Sequence, residues 1–244
     1  MNDLQVSLFS LESLFDKREM WKAFFTNLEN IFDLKISHID KNDPMRNKVK
    51  NLDEVVDYIG IFGGEEDTLN ILFAKSKKYD LFVLLELNKA KSTVGNGFDM
   101  VYISFHEEFI KQKENVEKVY LFFKESISVI KPFYAVCDDT INIKVKKKNN
   151  GFPVNYEEEL PGIFWLTYFN KKYSDFFDLK NKNIPFEVVE NTSGTILRLG
   201  ESPHHIVYDR FEAEKELGTK SFVELDAILN KPFGKYVLLF KDLI

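Results

Sequence analysis

The run from Lys113 to Lys131 constrains the fold most. Val116, Tyr120, Phe123, Ile127 and Ile130 recur at steps of four, three, four and three, with Lys, Glu and Ser between them. That spacing puts the apolar side chains on one side of an α-helix. Pro132 ends it, because proline disfavours helical geometry in the residue before it. A one-sided helix has to cover an apolar surface, and the flanking segments supply candidates.

Upstream, Asp16 and Glu19 have capping-box spacing, followed by Met20, Phe24, Leu28 and Ile31 on one face of a predicted helix. Leu34 to Ile39 alternates as a strand would. Asn51 or Asp53 opens a short helix that Gly60 is placed to close. Three strands are expected at Leu69–Ala74, Asp80–Leu87 and Phe98–Phe105, the second apolar enough for burial on both faces. Gly95-Asn96-Gly97 suits a hairpin between the last two.

Downstream of Pro132, PFYAVCDD reads as a strand. Residues 144–159 read as loop, with clustered lysines, Asn-Asn-Gly and a proline. Ile163 to Phe169 is an almost wholly apolar strand after the Pro161-Gly162 turn. Asn170 can cap a helix that carries Tyr173, Phe176 and Phe177. PFEVVEN and TILRLGE flank Thr192-Ser193-Gly194 as a hairpin. A helix from Arg210 to Glu216 should stop at Leu217-Gly218. SFVELDAIL follows as a helix and KYVLLF as a terminal strand. Mixed helices and strands with prominent hairpins indicate an α+β chain: a mixed, mainly antiparallel sheet with several packed helices. A single compact unit is expected for the 244 residues, with a candidate subdomain boundary in 146–156.

Charge excludes some partners. The net charge is -6, and the segments up to and beyond Lys131 carry -4 and -2, from 18 basic against 22 acidic residues and 15 against 17. Neither has the basic surface that phosphate-backbone binding needs, so nucleic acid is not expected. An acidic surface steers basic proteins instead. One cysteine, Cys137, precludes an internal disulfide and suits a reducing compartment. The N-terminus lacks the positive region of a secretory signal, and no apolar run is long enough to span a membrane. A cytoplasmic, membrane-free location is expected.

The chemical motifs fail on spacing. Adjacent His204 and His205 point to opposite faces of a strand, and no zinc-type ligand spacing occurs. His106-Glu107-Glu108 begins like a zincin motif, but Ile110 stands where its second histidine belongs. Asp138 and Asp139 would raise the pKa of Cys137 and oppose a thiolate. Gly60–Gly64 matches no phosphate-loop pattern. No metal, cofactor or catalytic residue is assigned. Two acidic clusters, Glu65-Glu66-Asp67 and Glu157-Glu158-Glu159, fall in expected loops and are candidate docking residues for a basic protein.

Leu160-Pro161-Gly162-Ile163-Phe164-Trp165-Leu166-Thr167-Tyr168-Phe169 resembles a Pro-Gly…Trp-Leu segment of immunity proteins from bacterial polymorphic-toxin and type VI secretion systems. The resemblance covers about ten residues in specific detail and the rest in layout. It implies a non-enzymatic protein that binds and neutralises one cognate toxin without a cofactor. Pro161, Gly162, Trp165 and Tyr168 would then maintain the core and not touch the toxin. The rival readings are an enzyme with a carboxylate-based site and a general protein-interaction module.

Overall fold

A computed structural model of the chain describes residues 3–62, 69–88, 97–146, 148–149, 152–189, 194–223 and 235–243. Backbone contacts divide it into two units, Met1–Pro132 and Phe133–Ile244. The stretch 146–156 lies inside the second.

The first unit runs β1 (Leu4–Ser10), α1 (Arg18–Phe32), β2 (His38–Asp40), α2 (Leu52–Phe62), β3 (Leu69–Lys75), β4 (Phe82–Asn88), β5 (Asp99–Phe105), α3 (Glu107–Ile110) and α4 (Lys113–Ile130). Its strands lie side by side in the order β1-β5-β4-β3-β2, each antiparallel to the next. β4 and β5 pair as the glycine-rich connection implied, although 89–96 lies outside the described residues.

α4 forms where its apolar stripe placed it, and Lys131 turns left-handed (φ 52) to end it before Pro132. α1 differs from expectation. Arg18 opens it and Asp16 caps nothing; instead the Trp21 indole donates to the Leu14 carbonyl at 2.7 Å. That anchor turns Trp21, Phe24, Phe25, Leu28 and Phe32 inward, one residue round from the expected stripe. Phe32 meets Phe122 of α4 and Phe105 of β5 at ring separations of 5.4 and 4.9 Å. Each fully buried side chain of this size contributes about 1.5–3 kcal/mol.

β2 is shorter than the alternation suggested, because the Ile36 N–H is taken by the buried Glu29 carboxylate at 2.9 Å. α2 runs through Gly60 to Phe62, with Asn51 accepting from the Glu54 N–H as its cap. β4 is not buried on both faces. Val83, Leu85 and Leu87 face inward while Phe82, Leu84 and Glu86 are partly exposed, the alternation of a sheet with one covered face.

The second unit runs β6 (Tyr134–Asp139), α5 (Thr140–Lys146), β7 (Lys148–Asn149), β8 (Phe152–Pro153), β9 (Leu166–Phe169), α6 (Lys171–Phe176), β10 (Phe186–Val189), β11 (Gly194–Arg198), β12 (Gly200–Ser202), β13 (His205–Ile206), α7 (Arg210–Leu217) and α8 (Phe240–Leu243). β10, β11, β9 and β6 are antiparallel neighbours in that order, and β7/β8 and β12/β13 are separate small hairpins. Asn170 caps α6 through the Tyr173 N–H at 3.0 Å, and Gly218 ends α7 at φ 105.

Two further expectations need correction and two fall outside the described residues. The 144–159 segment is not all loop, since α5 continues to Lys146. KYVLLF is not a strand: the Tyr236 N–H goes to the Glu158 carbonyl and the Phe240 N–H to the Glu157 carboxylate, so these donors make no ladder. The SFVELDAIL helix and the Thr192-Ser193 turn fall largely on residues 190–193 and 224–234, outside the described ones. The chain is α+β with a mostly antiparallel sheet.

Candidate partner-binding surface

The Pro-Gly segment has a backbone problem to solve. Residues 161–164 form no ladder, yet they are buried, so their polar groups need partners. The Phe164 N–H donates to Thr167 Oγ1 at 2.8 Å, and two buried ion pairs take the Ile163 and Trp165 N–H groups. β6 ends in Asp138, whose fully buried carboxylate accepts from the Trp165 N–H at 2.7 Å, the Asn142 amide at 2.9 Å and Arg210 Nη2 at 2.9 and 3.1 Å. Lys146 Nζ reaches both Glu214 oxygens at 2.9 and 2.8 Å and the Val223 carbonyl at 3.0 Å. Glu214 Oε1 also accepts from the Ile163 N–H at 3.0 Å. The Tyr134 hydroxyl donates to the Gly162 carbonyl at 2.6 Å, and the Trp165 indole donates to the Gly200 carbonyl at 2.9 Å.

Glycine at 162 follows from this packing. A Cβ there would lie 2.7 Å from Glu214 Oε1 and 3.3 Å from the Lys146 stem. Trp165 and Tyr168 are fully buried on either side, with Tyr168 in register with Ile196. Burial pushes the Asp138 carboxyl upward, against the pull of Arg210, the Asn142 amide and the Trp165 and Asp139 N–H groups. Such pairs add little net stability, since desolvation offsets attraction, but losing one partner costs about 3–5 kcal/mol. Their effect is geometric: they lock α5, α7 and residues 162–165 into one arrangement.

That arrangement exposes several large apolar side chains among polar ones. Asp209 caps α7 by accepting from the Phe211 and Glu212 N–H groups, which sets Arg210 and Phe211 in its first turn. Phe211 is 62% exposed and Val207, just before the cap, 85%. Ile141 and Val145, one turn apart on α5, are about half exposed. Asn142 and Arg210 share the Asp138 carboxylate, and Lys146 Nζ lies 5.4 Å over the Phe211 ring, so the two helices meet at this surface. Arg210 retains 26% side-chain exposure, and its Nε has no acceptor among the described residues. An arginine and an aromatic ring among aliphatic side chains, on a rigid base, is the composition of protein-interface hot spots.

The chain shares its fold with the Pseudomonas aeruginosa T6SS protein PA0821. The superposition has a TM-score of 0.65, spans all of this chain and 81% of that one, and carries 11% sequence identity. No protein-family model and no curated protein matches the sequence.

The acidic candidates are placed differently from the apolar surface. Glu65, Glu66 and Asp67 lie outside the described residues. Glu157 accepts from the Phe240 N–H at 3.1 Å and Glu158 from the Asn155 amide at 3.0 Å, while Glu159 is only 6% exposed. Of these three, Glu158 alone is exposed. Glu157 and the Glu158 backbone instead hold the 235–243 segment in place. Pro161, Gly162, Trp165 and Tyr168 are buried, as core residues would be.

Asp138, Lys146, Arg210 and Glu214 were not singled out as a group in the sequence. The pairs span 72 and 68 positions, and nothing local to either partner names the other. Among the described residues, no group of three His, Cys, Asp or Glu could hold a metal ion, and no helix is long and apolar enough to cross a membrane.

Proposed function

We propose that this protein is a cytoplasmic immunity protein that neutralises a cognate bacterial toxin by one-to-one contact. The exposed Phe211–Val207–Ile141–Val145 surface around Arg210 carries the reading: it costs free energy in water and is held rigidly enough to meet a partner without reordering. The fold shared with a T6SS protein and the Pro-Gly…Trp-Leu resemblance support the same reading. The net charge of -6 suits a basic toxin domain.

The test is co-expression with the product of the neighbouring gene in a host that the product kills. Wild type should restore growth. Phe211→Asp and Val207→Asp should fail to do so while keeping their circular dichroism and melting temperature, because both side chains are exposed and contribute little to the core. Loss of such anchors weakens a complex by roughly 30-fold or more. Failure of wild type to rescue would end the immunity reading. Rescue by both variants would move the interface elsewhere.

A further inference from the structure

The first unit carries a separate cavity. It forms beside the β3–β4 turn, where the Ser76 N–H donates to the Leu81 carbonyl at 3.0 Å. Within that turn Tyr79 (φ 64, ψ 12) and Asp80 (φ 47) are both left-handed, which side-chain-bearing residues avoid and which persists only where the surroundings impose it. The conformation sets the Tyr79 ring 4.6 Å from Phe109, at 64°, and leaves the Asp80 carboxylate exposed with no partner among the described residues.

α3 and the start of α4 close the cavity, whose volume is about 210 Å³. Asn115, 3% exposed, lines it. Its amide nitrogen donates to the Phe109 carbonyl at 2.8 Å and to Gln112 Oε1 at 3.3 Å, and its Oδ1 receives no hydrogen bond from the described residues. Two aromatic rings, the Asp80 carboxylate and the Asn115 amide therefore line one small space, with His106, Glu108 and Gln112 completing it. The nearby ammonium groups are already committed: Lys78 pairs with Asp33 at 2.7 Å and covers one face of the Tyr79 ring at 5.0 Å, and Lys111 pairs with Glu108 at 2.5 Å. Acceptors and ring faces call for a cationic donor. The volume is below the roughly 300–1,000 Å³ of small-molecule pockets and matches a single long side chain.

We infer that this cavity receives a lysine or arginine side chain from a protein partner, with its charge on Asp80, its donors on Asn115 and its stem against the edge of the Tyr79–Phe109 pair. The site is independent of the α5–α7 surface, and the two assignments fail separately.

The test uses the isotope-labelled full chain and three probes: N-acetyl-lysine methylamide, N-acetyl-arginine methylamide and the uncharged N-acetyl-norleucine methylamide. The side-chain amide signals of Asn115 and Gln112 are followed by NMR. The cationic probes should shift them saturably and norleucine should not. Asp80→Asn should weaken the cationic probes by about tenfold, the loss of one partly screened charge contact. Tyr79→Gly, whose backbone accepts a positive φ freely, should keep the fold and lose the probes. Absence of saturable shifts, equal shifts from norleucine, or undiminished binding by Asp80→Asn would overturn the assignment.

Discussion

Cys137 shows how much one buried residue can decide. Its side chain is fully buried in β6, and burial together with the neighbouring Asp138 carboxylate pushes its thiol well above the usual range. The reactive species is the thiolate, so both access and ionisation oppose reaction. Thiol-specific labelling of the native protein at neutral pH should run on the order of a thousandfold slower than in denaturant, where one equivalent should react. Rapid native labelling would contradict the packing of β6. The sequence already carried this conclusion, because adjacent carboxylates and an apolar flank determine the thiol's environment locally. Asp138's own role was not visible there. Its partners Asn142, Trp165 and Arg210 are brought to it by three different elements.

At the scale of elements, the Pro-Gly corner depends on a volume that is already filled. Gly162→Ala would set a methyl group 2.7 Å from Glu214 Oε1, and that oxygen cannot retreat without releasing Lys146 or the Ile163 N–H. The substitution should destabilise the protein by about 1–3 kcal/mol, read from the midpoint of denaturant unfolding. An unchanged midpoint would mean that the Lys146–Glu214 pair does not fix the corner. Elements with a strong local signal were legible in the sequence: the α4 stripe, the Asn170 cap and the β10–β11 hairpin. Elements whose backbone is claimed from elsewhere were not. Glu29 shortens β2, Trp21 rotates the buried stripe of α1, and Glu157 with Glu158 turns the 235–243 segment away from a strand. In β2 and in 235–243 a carboxylate or carbonyl outside the element takes a backbone donor that a periodic pattern assumes is available, and in α1 a side-chain hydrogen bond to the preceding loop resets which face turns inward.

For the whole molecule, an inhibitor and an enzyme differ in stoichiometry. The described residues present a rigid, exposed apolar surface in the second unit and a small acceptor-lined cavity in the first. Both suit contact with a partner's side chains. A binder acts one for one, whereas a catalyst that modified a toxin would act at far less than one equivalent. The ten residues of the Pro-Gly…Trp-Leu segment are all buried, so under the proposed function the partner is chosen by other side chains, those that face solvent. The deciding measurement takes the product of the neighbouring gene, once the co-expression test has shown it to be toxic, and titrates it with this protein, following residual activity at concentrations well above the dissociation constant. Activity falling linearly to a break at one equivalent is the predicted result. Complete inactivation by a small fraction of an equivalent, growing with time, would contradict the account and establish turnover.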